Sequence, residues 1–189
     1  MCAAPANAQE FDRAYRAPLT MWGDWRIPAE VKAMAAAPAR VLELGCGIGR
    51  NARYLTAQGM VVTGVDFSPV AIERARARVA GDRRQPEFVV DDVQELSRVT
   101  GPFDRSLDIG CFHCLSASGQ VRYAAALARL LRPGAIHLLW AMDQAPSDLA
   151  MTPAAIEPVF APHFSVPRVV KRRRRLVPSW WYWLERTGP

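Results

Sequence analysis

The sequence predicts an α/β domain with a largely parallel sheet flanked by helices, on three observations. Short apolar runs, Arg40 to Leu44, Val61 to Asp66, Glu87 to Val90, Phe103 to Gly110 and Ala135 to Ala141, alternate with segments of helical periodicity. The first run ends in a glycine-rich turn, Gly45-Cys46-Gly47-Ile48-Gly49, and the second ends in a carboxylate, Asp66. At 189 residues, 50% of them hydrophobic, the chain has the size of one structural domain with a proper core.

Residues 1 to 37 mix Tyr15, Trp22 and Trp25 with charges, and Ala29 to Ala37 has good helix propensity before Pro38. This segment is expected to form a helical cap or lid of one or two short helices, ahead of the domain proper at 38 to 189. Arg40 to Leu44 suits a buried strand bounded by Gly45. Ile48, Ala52 and Leu55 then recur at helical spacing, and Gly59 stops that helix. After the strand Val61 to Asp66, Ser68 sits as an N-cap and Pro69 at the first helical position. The helix that follows runs to about Ala80, with Glu73, Arg74, Arg76 and Arg78 on its wet face. Gly119 to Leu131 is the next helix, ended by Arg132-Pro133-Gly134, and Ala135 to Ala141 is the strand after it. Thr152 to Phe160 reads as a helix. Val166 to Lys171 and Trp180 to Glu185 read as two strands joined by a basic, proline-containing turn, with Trp180, Trp181 and Trp183 as core and cover. Right-handed crossovers between parallel strands put helices on both faces.

Composition excludes several classes. No run approaches the roughly eighteen apolar residues of a membrane span, and the N-terminus lacks a basic start followed by an apolar stretch, so a soluble, cytoplasmic protein is expected. Cys2, Cys46, Cys111 and Cys114 do not form a disulfide framework and read as reduced thiols. The formal charge is +6, but Lys171 to Arg175 supplies most of the excess, which argues against a broad nucleic-acid-binding face. A basic turn between edge strands is ordinarily a solvated face that discourages edge pairing.

In an open parallel sheet, ligands bind beyond the carboxyl ends of the strands where the winding reverses. That rule gathers Gly45 to Gly49, Asp66-Phe67-Ser68, Asp91-Asp92-Val93 and Asp108-Ile109-Gly110-Cys111. Spacing then separates cofactors. A dinucleotide fingerprint is G-x-G-x-x-G, with a diphosphate at the helix N-terminus. Here the pattern is G-x-G-x-G preceded by Glu43, and a carboxylate there suits a cationic amino-acid moiety better than a diphosphate. Asp66, about 20 residues after the glycines, is placed to accept both hydroxyls of a ribose. Asp92 is placed to accept a hydrogen bond from an exocyclic adenine amine, with Val93 and Phe67 against the ring faces. Asp91 is the competing choice, because a boundary shift of one residue exchanges the two.

The strings VLELGCGIGRNARYL, VTGVDFSPVAIERAR, FVVDDVQEL, FDRSLDIGCFHCL and LLRPGAIHLLWA, in this order over about residues 38 to 142, resemble the successive motifs of class I S-adenosyl-L-methionine (SAM)-dependent methyltransferases. One departure is Gly134-Ala135, where that family usually has a second glycine. The resemblance implies a three-layer α/β/α Rossmann-like fold with a seven-stranded, mostly parallel sheet and an antiparallel last strand. It implies SAM as cofactor and S-adenosyl-L-homocysteine (SAH) as product. Glu43, Gly45 and Gly47 would line the methionine part, with Cys46 and Gly49 in the same turn; Asp66 the ribose, with Phe67 and Ser68 next to it in the chain; Asp92 and Val93 the adenine. Asp108, Ile109, Gly110 and Cys111 would border the sulfonium.

Methyl transfer from a sulfonium is an in-line displacement, so positioning and removal of water dominate. Tyr15, Trp22, Trp25, Cys111 and His113 are the expected acceptor pocket. For a thiol or hydroxyl acceptor, His113 or Asp143 would serve as base, whereas a neutral amine needs only orientation. Cys111-Phe-His-Cys114 also admits a redox pair or a zinc site, but the further ligands that zinc needs are hardly supplied, no metal is expected, and packing beside the cofactor is the plainer reading.

The expected activity is methyl transfer to the oxygen, nitrogen or sulfur of a small molecule, since the chain leaves no room for a domain that grips a macromolecule. The expected assembly is a monomer or homodimer with no membrane partner. The rivals are an RNA methyltransferase using the basic run, a SAM-binding protein that does not methylate, and a nicotinamide-dependent enzyme. No Asn/Asp-Pro-Pro-aromatic tetrad stands at Asp108 to Cys111, which weakens a nucleic-acid amino-methylating reading.

Overall fold

Residues 8–17, 26–36, 38–143, 147–174 and 177–188 are described by the computed structural model. Two short helices, α1 (Ala8–Arg16) and α2 (Ala29–Met34), precede an alternating series. The series is β1 (Arg40–Leu44), α3 (Arg50–Ala57), β2 (Val61–Asp66), α4 (Pro69–Val79), β3 (Glu87–Val90), β4 (Phe103–Ile109), α5 (Ala117–Leu130), β5 (Leu131–Met142), α6 (Pro153–Phe160), β6 (Phe164–Arg174) and β7 (Val177–Arg186). The strands form one seven-stranded sheet in the order β3-β2-β1-β4-β5-β7-β6. β1 pairs in parallel with β2 and β4, and β4 with β5, while β7 runs antiparallel to both neighbours. The predicted fold class is the observed one.

Two buried clusters separate the layers. Val31, Ala52, Leu55, Ile72, Ala75, Leu107, Leu138 and Trp181 join α2, α3 and α4 to one face of the sheet. Leu42, Leu44, Tyr123, Leu127, Leu139, Ile156, Phe160 and Tyr182 join α5 and α6 to the other. The chain leaves β1 toward β2 on the first face and leaves β4 toward β5 on the second. The reversal therefore falls between β1 and β4, and their carboxyl ends open the crevice.

Local chemistry explains the element starts. Ser68 caps α4 by accepting the Ala71 N–H at 3.1 Å, with Pro69 at the first helical position as predicted. Ser116 caps α5 through the Gly119 N–H at 3.2 Å, a signal the periodicity reading passed over when it began the helix at Gly119. Tyr182 is fully buried and its hydroxyl donates to the Met151 carbonyl at 2.5 Å, so the aromatic end of the chain is core.

Three expectations need correction. Arg132-Pro133-Gly134 does not precede the strand but lies within β5, where pairing jumps from Phe103↔Leu131 to Arg105↔Ile136. A bulge absorbs the missing proline N–H, and Gly134 takes a φ of 75°. Lys171 to Arg174 is the end of a strand rather than a turn: β6 continues to Arg174 opposite Val177. Long cationic stems cover aromatic rings along this strand, Lys171 over Trp180 at 4.7 Å and Arg168 over Trp183 at 4.2 Å, so charge does not prevent pairing. Only β6 is an edge strand at this side, since β7 lies between β5 and β6.

Leu107 is fully buried at the centre of β4. Leu107→Ala should lower unfolding free energy by about 2–5 kcal/mol in denaturant titration. A loss under about 1 kcal/mol would contradict the packing described.

Candidate functional site

The glycine turn after β1 is held by Asp66 at the end of β2. The Gly47 N–H donates to Asp66 Oδ2 at 2.8 Å, and the Ser68 N–H donates to Oδ1 at 3.0 Å. Both oxygens keep lone pairs, so the carboxylate can still accept from a ligand. Gly45 and Gly47 have φ of 63° and 53°, the left-handed region that favours glycine. A β-carbon at Gly45 would collide with the Cys111 side chain, and one at Gly47 would lie 3.0 Å from the Tyr15 hydroxyl. The turn is thus pressed between the loop after β4 and helix α1.

Glu43 is buried at 3% exposure beneath the turn. Asn51, on the first turn of α3, donates to its Oε1 at 2.8 Å, while Oε2 is buried with no hydrogen-bond partner among the described residues. Burial raises Glu43 to about 7 against the opposing pull of Asn51 and Arg50. Burial likewise raises Asp66 to about 6 despite its two backbone donors. An orphaned, buried carboxylate oxygen is the feature that a cationic ligand group would complete.

Helix α1 packs over the turn after β2 and the start of α4. Asp12 accepts a hydrogen bond from the Ser68 hydroxyl, Arg74 donates to the Tyr15 carbonyl, and Phe11 meets Phe67 edge to face at 5.4 Å. Tyr15, expected in the acceptor pocket, therefore faces the cofactor turn at Gly47. Trp22 and Trp25 lie outside the described residues. Phe67 is 38% exposed, which leaves its ring available at the site.

The two aspartates after β3 are distinguished by their partners. Asp91 is occupied structurally: its Oδ2 accepts the Arg98 N–H at 2.7 Å and its Oδ1 accepts the Asp92 N–H at 2.9 Å. Asp92 is exposed and held by Gln94, whose backbone N–H donates to Oδ1 at 2.8 Å and whose side-chain amide lies 3.2 Å from both carboxylate oxygens. The Val93 side chain is buried at 5% in the core, which corrects its expected stacking role.

Asp108 faces inward rather than toward a ligand. It is fully buried and accepts from the Cys111 and Phe112 N–H groups at 2.9 and 3.0 Å and from the Tyr123 hydroxyl at 2.9 Å. Burial pushes it up to about 7. The chain of contacts continues from Tyr123 to His137 Nε2 at 3.2 Å, and from His137 Nδ1 to Ser106 at 2.8 Å. This buried relay sets the shape of the turn Phe112–Cys114. Gly110, at φ 91°, presents backbone there, while Ile109 packs on the sheet core. Cys46 is buried, and burial raises its thiol well above its ordinary value.

Neither proposed base is arranged as one. His113 Nδ1 accepts the Met142 N–H at 3.1 Å, so the neutral ring carries its proton on Nε2 and offers a donor. Burial lowers it to about 4, which keeps it neutral. Asp143 accepts from Trp180 Nε1 at 2.6 Å and pairs with Lys171 at 3.4 Å, and these contacts lower its pKa. No group of three or more His, Cys, Asp or Glu suited to a metal occurs among the described residues. Sequence reasoning missed Asp12, Asn51, Gln94, Tyr123 and His137, whose role is to hold the others. Of these, only Asn51 carries a local signal, on the first turn of the helix that the glycines open.

Residues 41–134 match the methyltransferase domain family. An uncharacterized methyltransferase of Schizosaccharomyces pombe is 38% identical over 90 residues, covering 48% of this chain and 62% of that protein. A 2-heptyl-1-hydroxyquinolin-4(1H)-one methyltransferase of Mycobacteroides abscessus is 32% identical over 114 residues, covering 58% of this chain and 49% of that protein. The chain thus spans half to two thirds of the length of these relatives. In three dimensions it is similar to the N-methyltransferase NodS from Bradyrhizobium japonicum in complex with SAH, with a TM-score of 0.81, 16% identity, and coverage of 97% and 100%. Fold and site define a Rossmann-like nucleoside-binding protein. More narrowly, residues 41–134 carry a methyltransferase domain, and the fold is that of SAM-dependent methyltransferases.

Three buried carboxyls, Glu43, Asp66 and Asp108, titrate above their ordinary values of 4.5, 3.8 and 3.8. A raised folded pKa contributes stability that is fully present below the unfolded value and is lost as pH rises through the folded one. The ligand-free protein should therefore lose stability between about pH 4 and about pH 7, the interval these values bound. Glu43→Gln should flatten the slope of thermal stability against pH. A slope unchanged by that substitution would contradict the assignment.

Proposed function

We propose that this chain binds SAM and transfers its methyl group to a small-molecule acceptor. The observation that carries the reading is the pair of buried carboxylates at adjacent strand ends. Glu43 has one oxygen unmatched, and Asp66 is anchored by backbone donors with lone pairs to spare. An α-ammonium and a vicinal diol are the groups that such a pair can take together. Glu43 with the Gly45 to Gly49 turn would hold the amino-acid end, Asp66 the ribose, and Asp92 with Phe67 the adenine. When bound, SAM supplies an electrophilic methyl on a sulfonium.

The chain's own part is orientation and exclusion of water. Asp108 fixes the backbone of Cys111 and Phe112, so the turn that borders the acceptor space is set before ligand arrives. Helix α1, joined to Ser68 and Arg74, would act as the lid over the nucleoside. His113 would donate a hydrogen bond through Nε2 instead of removing a proton. An acceptor that ionises unaided, or a neutral amine, then fits better than one that needs a base. The quinolone named for the Mycobacteroides relative is a small molecule, which supports the substrate class.

Asp66→Ala should weaken SAH binding by about 1–3 kcal/mol in calorimetry, because both ribose hydroxyls lose an acceptor. Unchanged affinity would remove the nucleoside reading. A methyl-transfer screen against thiols, phenols, amines and carboxylates tests the activity itself. Across a series of phenols, the midpoint of the kcat/KM pH profile should follow the pKa of each phenol. A midpoint that stays fixed would instead identify a base on the protein.

A further inference from the structure

An open cavity lies at the carboxyl end of β6, and none of the residues proposed to hold the cofactor lines it. It measures about 440 Å³ and is lined by Asp143, Lys171, Arg172, Arg173 and Pro178. We propose that this cavity receives an oxyanion, a carboxylate or a phosphate, carried by the methyl acceptor; the proposal rests on the small-molecule reading above.

Topology places it correctly. β6 runs parallel to β5, because each is antiparallel to β7, so Lys171 to Arg174 ends at the same edge of the sheet as the glycine turn. Asp66 sits on β2, to one side of β1, while β5, β7 and β6 extend from β4 to the other. The cavity is therefore on the side away from the nucleoside. It is joined to the acceptor space by one short link: Asp143 follows Met142, whose N–H is held by His113 in the turn after β4. A molecule with its nucleophile near Gly110 and its charge at the β6 end would lie across that link.

The lining is cationic and partly preorganised. It sets Lys171, Arg172 and Arg173 against the single carboxylate of Asp143. Asp143 does not cancel this charge so much as place it. With Trp180 it pins the Lys171 ammonium, at 3.4 Å from the carboxylate and 4.7 Å from the ring centroid. Pinned in this way, Lys171 has already given up part of the rotamer freedom that a surface lysine loses on binding. Arg172 reaches Glu30 only at 4.0 Å, and Arg173 has no partner among the described residues. Side chains alternate along β6, so Arg173 shares the face of Lys171 while Arg172 turns toward Glu30 of α2; one guanidinium fork beside a fixed ammonium matches a carboxylate or phosphate, with Arg172 adding charge at the strand end. The Asp143 N–H is tied to the Pro178 carbonyl at 2.9 Å, which holds the two walls of the cavity together.

The test uses the full chain saturated with SAH and three probes that share a phenol ring: 4-hydroxybenzoate, 4-hydroxyphenyl phosphate and the neutral 4-hydroxybenzamide. Affinities are measured by calorimetry for the wild type and for the double variant Arg172→Gln, Arg173→Gln, both exposed positions on an edge strand. At least one anionic probe should bind about tenfold or more tightly than the amide, and the double variant should lose most of that ratio while keeping its SAH affinity. Preference for the benzoate or for the phosphate tells which oxyanion the cavity takes. Equal binding of the three probes, or a preference that survives both substitutions, overturns the proposal. So does an RNA oligonucleotide that binds through these arginines with steep salt dependence while the small probes do not. An intact anion preference without methylation of any screened acceptor keeps the cavity assignment and removes the transfer reading, so the two failures are distinguishable.

Discussion

The site depends on one buried carboxylate. Asp66 ties the glycine turn of β1 to the cap of α4, through the Gly47 and Ser68 amides. Those amides would otherwise be unpaired donors at a strand end, and buried donors without acceptors are costly. The carboxylate in turn is tolerated at 3% exposure because the two amides solvate it in place of water. Strand ends, turn and helix start are thus fixed by one residue, and the surface they present to a nucleoside follows from that.

The rest of the crevice repeats the device. Asp108 does for the turn after β4 what Asp66 does for the turn after β1, and Tyr123, His137 and Ser106 extend its support into the core. Asp91 does the same for the loop after β3 through Arg98. Three of the carboxylates that close parallel strands are therefore structural acceptors first. What the protein's own donors leave unused at the crevice is the second lone pairs of Asp66 and the orphaned Oε2 of Glu43.

The central architecture was legible in the sequence because it is written in local signals. Arg40 to Leu44, Val61 to Asp66 and Glu87 to Val90 have the bounds read from apolar runs and their glycine or aspartate stops. Errors arose where tertiary contacts override local chemistry. Arg132-Pro133-Gly134 reads as a breaker, yet pairing with β4 accommodates it as a bulge. The basic run reads as solvated turn, yet Trp180 and Trp183 give its neighbours a surface to lie on. At the site, positions in the chain order were legible but directions were not. Whether Val93 points to core or ligand, and which nitrogen of His113 is engaged, depend on elements far away in sequence, such as Met142.

The position of β6 bears on how copies of the chain meet. A sheet that ends in an open strand offers unpaired amides and carbonyls to the edge of any other sheet. Here the sequence puts cations at every position from 171 to 174 along that margin. Two such margins brought to the usual strand spacing of about 4.8 Å would oppose like charges, each facing pair costing on the order of 1 kcal/mol even at the dielectric of water. Growth of the sheet from one molecule into the next is thereby disfavoured along the very strand where it would otherwise be easiest, without a covering helix being needed there.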